Sequence, residues 1–261
     1  MGMASNIAGR LAKPNYGIDA PRLVRGFLAT ALVLLAASGV CFALAADHRP
    51  WAVPVAWLLA LPAVYALGML GLMLWESLVT KVVGREAILN QVAWTGNEAV
   101  LDVGCGRGVM LVGAARRLTT GRAIGVDIWL ERDQSSNTET APIENARLES
   151  VGDRVSVQTA DMRILPFAEK SFDVVISSWA VHNLDAEADR FKALSEMVRV
   201  LRPTGTILLT DITNREEYLR AMKQLCVGDL RLSVASALKD RFLKVVSFGA
   251  YAPATIVARQ S

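Results

Sequence analysis

The 261 residues carry 28 Lys and Arg against 25 Asp and Glu, a formal net charge of +3 that is too small and too dispersed for a nucleic-acid partner. With 52% hydrophobic residues and a mean hydropathy of +0.33, concentrated in the first eighty residues, part of the chain is matched to a lipid bilayer. Cys41, Cys105 and Cys226 have neither metal-ligand spacing nor a paired framework, so no metal is expected and a reducing compartment is the simpler reading.

Residues 1–26 form a polar N-terminal segment with Arg10, Lys13, Arg22 and Arg25 against one acid, Asp19. Within 13–21 the prolines Pro14 and Pro21 favour an extended path over a helix. This stretch is either a plain juxtamembrane linker or a lid that brings Tyr16 and Asp19 to a bound substrate.

Residues 27–46 and 51–75 are free of charge and are separated by Asp47-His48-Arg49-Pro50. At about 1.5 Å per residue each spans a hydrocarbon core of about 30 Å, so residues 27–76 are predicted to form a transmembrane hairpin. A signal peptide would account for the first run but not the second, and a buried pair in a soluble domain rarely runs so long without a charge. Pro54 and Pro62 are tolerated within such a bundle. Basic residues before the first run, with Lys81 and Arg85 after the second, place both termini and residues 77–261 in the cytoplasm. Trp51, Trp57 and Trp75 sit where interfacial anchors do. The pairs Gly26/Thr30 and Gly39/Ala43 permit close helix contact and so a homo-oligomer.

From residue 77 onward strands and helices alternate, which predicts a parallel sheet covered on both faces. A helix over 78–94 leads to the turn 95–97 and then to V-L-D-V-G-C-G-R-G at 100–108, an apolar strand that breaks into a glycine loop and opens a helix over 109–118. Gly104, Gly106 and Gly108 let the backbone approach a ligand, which makes the loop a nucleotide cradle. The run 122–126 ends in Asp127, the acid at the tip of the second strand that suits a ribose edge. A third strand over 154–160 is followed by Asp161, and a fourth over 173–178 by the loop 179–184, which holds His182. A helix over 187–201, a turn at 202–205, a fifth strand over 206–210 and a helix over 214–227 come next. Residues 242–248 and 254–259 read as a closing antiparallel pair, for seven strands in all. Residues 228–239 remain ambiguous, as a piece of substrate wall.

The motifs D-V-G-C-G-R-G, G-V-D-I (125–128), T-A-D-M-R-I-L-P-F (159–167), F-D-V-V-I-S-S-W-A-V-H-N-L (172–184) and M-V-R-V-L-R-P-T-G-T-I-L-L-T-D (197–211) stand in the order found in class I S-adenosylmethionine-dependent methyltransferases, which residues 84–261 resemble. The resemblance implies a Rossmann-like seven-stranded sheet preceded by the two transmembrane helices. It implies S-adenosylmethionine as cofactor, with S-adenosylhomocysteine as product, held by Asp102, Gly104, Cys105, Gly106, Gly108, Asp127, Ile128, Asp161, Met162 and Ser178. Asp161 and Met162 would meet the adenine. Trp179, His182 and Asn183 would face the acceptor together with Tyr16 and Asp19, and His182 is the candidate general base.

Methyl transfer from a sulfonium is an in-line displacement, so orientation alone supplies much of the rate, up to about 7–11 kcal/mol. A base is needed only where the acceptor must lose a proton. Enzymes of this fold that methylate nucleobases carry a [D/N/S]-P-P-[Y/F/W] signature where this chain has Ser177-Ser178-Trp179-Ala180. The L-P-F and R-V-L-R-P motifs are similar to those of quinone-biosynthesis methyltransferases, which points to a small, hydrophobic or amphipathic acceptor of lipid or quinone type. The alternatives are a small soluble amine or thiol, with the hairpin only for anchoring or assembly, and a non-catalytic scaffold that binds the cofactor. A nicotinamide reductase is disfavoured because the loop reads G-x-G-x-G and not G-x-G-x-x-G.

Overall fold

The computed structural model describes residues 13–225, 228–233, 237–247 and 253–260 and divides into two compact units. Arg10, Cys226 and Phe248 lie outside the described residues, as do the end of the predicted 214–227 helix and residues 234–236 of the ambiguous stretch.

One unit comprises Gly17–Lys81 with Glu131–Ser135. Its helices α1 (Pro21–Ala46) and α2 (Ala52–Trp75) pack as a hairpin, and α2 runs through one π-helical turn, Glu76–Thr80. Small residues fill the seam: Ala31 and Ser38 of α1 and Ala52, Ala56, Ala63 and Ala66 of α2 are buried. Large apolar side chains point the other way, with Val33 68% and Leu58 71% exposed. That is the reverse of a hairpin sorted by water, in which large apolar groups gather inside. The Ser38 hydroxyl donates to the Ala56 carbonyl at 2.9 Å, and Phe42 meets Trp57 edge to face. Asp19, expected at a substrate, has its described contacts within this unit. It forms an ion pair with Lys81 at 2.9 Å, accepts from Gln134 Nε2 at 2.9 Å and pairs its backbone with Gln134.

The other unit is the α/β domain. Helix α3 (Lys81–Leu89) precedes a seven-stranded sheet ordered β3-β2-β1-β4-β5-β7-β6, from β1 (Ala99–Val103), β2 (Arg122–Asp127), β3 (Val155–Thr159), β4 (Phe172–Ser178), β5 (Leu201–Asp211), β6 (Asp229–Ser233) and β7 (Ala254–Arg259). The first five strands are parallel and β7 runs antiparallel to both its neighbours. Crossover helices α4 (Val109–Ala115), α5 (Thr140–Leu148) and α6 (Glu187–Val200) and the later α7 (Arg215–Gln224) and α8 (Ala237–Val246) complete it. Successive side chains of the central strands enter opposite cores: Leu101, Val175 and Ile207 one, Val100, Val174 and Leu208 the other. A strand buried on both faces is apolar almost throughout, which is why 174–176 reads as an unbroken hydrophobic run and 100–103 is interrupted at Asp102 alone.

Two expectations are corrected. Residues 242–246 are not a strand: α8 extends to Val246, and β6 takes the place beside β7. The alternation D-L-R-L-S at 229–233 is the strand pattern, on a half-exposed edge, whereas Leu243 is buried while Phe242 and Val245 are exposed, as on a one-sided helix. The turn at 202–205 does not end a helix before a separate strand. Phe172 pairs with Leu201 and Val174 with Thr206, so those residues bulge within one long strand.

Candidate active site

The sheet order changes direction between β1 and β4, and the cradle leaves β1 at that switch point, where open α/β sheets bind ligands. Gly104 and Cys105 donate their amides to the Val126 carbonyl at 2.8 and 3.1 Å, and Gly106 donates to Asp127 Oδ2 at 2.8 Å. The loop is thus sewn to the end of β2. Gly104 has φ +73°, and a Cβ there would collide with the Cβ of Ala180, in the turn after β4. At Gly108, φ is +83° and an added Cβ would lie 2.8 Å from Pro142 of α5. Only glycine meets both demands, positive φ and close approach.

Asp127 accepts at Oδ1 from the Trp129 amide at 2.6 Å and from Asn137 at 3.3 Å, so the predicted ribose acid is held in one orientation. Asp102 lies under the loop, 1% exposed, and neither of its oxygens has a hydrogen-bond partner among the described residues. Burial pushes its carboxyl up to about 7; the Leu111 amide, short of hydrogen-bond geometry, draws it down, and the Asp127 charge raises it. A buried, uncompensated acid beneath a close-approach loop, with an oriented acid at the next strand tip, fits a cationic nucleoside.

Cys105 points into the core behind the loop, with its thiol pushed up by burial, so this residue meets a ligand through its backbone. Ile128 is half exposed at the tip of β2. Asp161 is engaged by Arg163, whose Nη2 lies 2.6 Å from Oδ2, and Arg163 also reaches Asp189 at 2.9 Å. The Arg163 hydrogen bonds hold the Asp161 carboxyl below its ordinary value. Met162 brings its Cε to 3.5 Å from the Cβ position of Gly104, so it faces the cradle.

At the end of β4, Ser178 pairs with Thr210 of β5 and Trp179 turns the chain with φ +55°, a conformation that costs about 1–3 kcal/mol and gathers at functional sites. His182 and Asn183 lie in the short turn Val181–Asn183, and His182 Nδ1 is 2.5 Å from Asp211 Oδ1.

Residues 101–209 match a family model described as a methyltransferase domain. The chain is 32% identical over 155 residues to the methyltransferase GfsG of Streptomyces halstedii, covering 59% of this chain and 52% of that one. To the ubiquinone/menaquinone biosynthesis C-methyltransferase UbiE of Geotalea daltonii it is 28% identical over 130 residues, 49% of this chain and 52% of the relative. It therefore spans about half the length of these curated relatives. The fold is similar to geranyl diphosphate C-methyltransferase from Streptomyces coelicolor A3(2), solved with Mg2+, geranyl diphosphate and S-adenosyl-L-homocysteine, with TM-score 0.53, 20% identity and coverage of 69% and 79%. The chain carries a class I S-adenosylmethionine-dependent methyltransferase domain.

In this methyltransferase domain the cradle, Asp127, Met162 and the turn after β4 converge on one edge of the sheet. Tyr16 belongs to the same unit and is buried. Its buried hydroxyl donates to Glu149 and accepts from Arg85 Nη1 at 3.0 Å, and Arg85 also pairs with Glu149 at 2.9 Å. The neighbouring Asn15 carbonyl accepts from Arg107 Nε at 2.7 Å and from Asn145 at 3.0 Å, while its amide donates to Asn145 at 2.8 Å. Arg107 stands in the cradle between Gly106 and Gly108, so Asn15 is bonded to the methyltransferase loop itself. Sequence reasoning passed over Arg107, Asn145, Arg163 and Asp211. The spacing of Asp211 just past an apolar strand was the available signal for the last; nothing local distinguished the other three.

Proposed function

We propose that this protein is a membrane-anchored methyltransferase that moves a methyl group from S-adenosylmethionine to a small, hydrophobic or amphipathic acceptor of lipid or quinone type. What supports the reading most is that one chain joins a glycine cradle over an orphaned acid to a hairpin whose large apolar side chains face outward. Such a hairpin is sorted for lipid, and a lipophilic acceptor concentrates in the same bilayer.

The donor, when bound, supplies an activated methyl on a sulfonium. The protein's part is to bind and orient: the Gly104–Gly108 backbone and Asp127 fix the nucleoside, Asp102 offers negative charge beneath a cationic ligand, and Met162 with the turn Val181–Asn183 walls the space beside them. Residues 13–16 act as a strap across the cradle, through Asn15 and Arg107. The similarity to UbiE and to the geranyl diphosphate enzyme, both acting by name on prenylated or quinonoid molecules, favours a hydrophobic acceptor over a soluble amine or thiol. With two spans, both termini and the methyltransferase domain lie on the cytoplasmic side.

The test is to incubate the full chain in lipid nanodiscs with methyl-labelled S-adenosylmethionine and a total lipid extract. Label recovered by mass spectrometry in a lipid-soluble product supports the reading. Label found only in water-soluble amines or thiols replaces it with the anchoring alternative, and donor binding without any S-adenosylhomocysteine leaves a scaffold.

A further inference from the structure

Among the described residues, buried side-chain polar atoms without a hydrogen-bond partner occur at Asp102, Asn137, Arg154 and Gln260. Arg154 precedes β3 and Gln260 follows β7, both at the edge of the sheet away from the cradle. Asp102 answers a cationic ligand from beneath the cradle. That leaves Asn137, in the loop after β2, which is 4% exposed and has no partner for its Oδ1.

The loop holds Asn137 beside the donor site from two directions. The Ser136 carbonyl accepts from Nη1 of Arg107, a cradle residue, at 2.6 Å, and Ser136 itself is left-handed at φ +52°. Asn137 Nδ2 donates to Asp127 Oδ1 at 3.3 Å. That is longer than the usual range of about 2.7–3.2 Å, so the bond is weak. A carboxylate oxygen only accepts, so the amide nitrogen must face Asp127 and the amide oxygen is left over. A residue needed only to brace the acid would not bury an acceptor unpaired, because the desolvation cost exceeds what one long bond returns.

Asp127, meanwhile, has little acceptor capacity to spare. A carboxylate accepts at about four positions. Three are filled from within the chain: Oδ1 by the Trp129 amide at 2.6 Å and by Asn137 at 3.3 Å, and Oδ2 by the Gly106 amide at 2.8 Å. One position remains, on Oδ2. A ribose presents two adjacent hydroxyls, and each gives up a water partner on entering the site.

We infer that the two ribose hydroxyls of the donor are divided between two residues, one donating to Asp127 Oδ2 and the other to Asn137 Oδ1. Asn137 is then a specificity residue, since a ligand lacking its hydroxyl leaves the amide oxygen buried and unpaired. The long bond to Asp127 lets the amide settle against the ligand without losing a strong partner. The inference rests on the methyltransferase reading and adds a residue ten positions beyond the strand-tip acid.

The experiment reads binding and not turnover. Calorimetry on the full chain in nanodiscs uses S-adenosylhomocysteine and its 2′-deoxy and 3′-deoxy analogues. The parent is expected to lose about tenfold in affinity with each analogue. Asn137→Ala should bind S-adenosylhomocysteine about tenfold more weakly and lose nothing further with one of the two analogues. Asn137→Leu fills the buried volume and should behave alike, which separates the lost acceptor from a void left by alanine. Asp127→Asn keeps the shape but not the charge, and should shrink the penalty of the other analogue alone. If the Asn137 and Asp127 substitutions couple to the same hydroxyl, Asn137 only braces the acid and the inference is overturned. It is overturned equally by a parent indifferent to the loss of either hydroxyl, or by Asn137 variants that keep both penalties in full. A parent that binds no S-adenosylhomocysteine fails the methyltransferase reading and takes the inference with it, whereas the other failures leave that reading standing.

Discussion

Asp102 shows how much a single side chain can carry. A carboxyl held at about 7 inside the fold, against about 3.9 in the unfolded chain, binds its proton more tightly when folded. Its contribution to stability is therefore complete below about pH 4 and is lost as pH rises through 7. Asp102→Asn removes that dependence. Its melting temperature relative to the parent should rise between pH 5 and pH 8, by an amount equivalent to a few kcal/mol at most. A pH-independent difference in differential scanning fluorimetry would mean that the acid is solvated. The neighbouring Gly104→Ala should act on binding: at φ +73° its Cβ meets Ala180, so the loop must shift, and donor affinity by calorimetry should fall at least tenfold with the fold retained. The glycines and Asp127 were legible because close approach and a strand-tip acid constrain residue type within a few positions of the chain. Arg163 on Asp161, and Asp211 under His182, were not, because the partners lie 2 and 29 residues apart with no periodicity to mark them.

Among the elements, the central strands and their crossover helices could be read to within a few residues, since burial on both faces leaves a continuous apolar signature. The closing strands could not. On a half-exposed edge a run such as 242–246 has too few constrained positions, and the better alternation at 229–233 was overlooked. The strap makes its own prediction at this scale. Arg85 is 3% exposed and shares Glu149 with Tyr16 and with the more exposed Arg116. Although burial raises the Glu149 carboxyl, hydrogen bonds from Arg85 and Tyr16 prevail and hold it below its ordinary value. The cluster's stabilisation is then complete above about pH 4.3 and lost as pH falls below it. Glu149→Ala leaves the buried guanidinium with Glu86 and the Tyr16 hydroxyl but without its two-toothed partner, and should destabilise by about 1.5–3 kcal/mol in a chemical melt at pH 7. Tyr16→Phe keeps the ion pair and removes one hydrogen bond, so it should cost about 1 kcal/mol yet speed release of bound donor if residues 13–16 strap the cradle. Unchanged donor dissociation in stopped flow, and unchanged activity after deletion of 13–16, would reduce the segment to a linker.

The molecule as a whole combines two solvents in one sequence. A nucleoside site needs water and a soluble donor, while α1 and α2 present to their surroundings the side chains that water rejects, Leu32, Val33, Leu58 and Leu61 among them. Lys and Arg are absent from both helices beyond Arg22 and Arg25 at the start of α1, so no charged face is left for a soluble interface. If lipid covers these faces, the chain should remain in the membrane pellet after an alkaline carbonate wash and leave it only with detergent. Tags at either end should both be cleaved by protease added to the cytoplasmic side of sealed vesicles. A single Leu35→Arg near the middle of α1 should cost about 2.5–3.5 kcal/mol of insertion and shift a measurable fraction to the carbonate supernatant. The same substitution in a protein–protein seam would instead break an oligomer and leave membrane association intact. Release of the unsubstituted chain by carbonate would show that another protein, and not lipid, covers the hairpin.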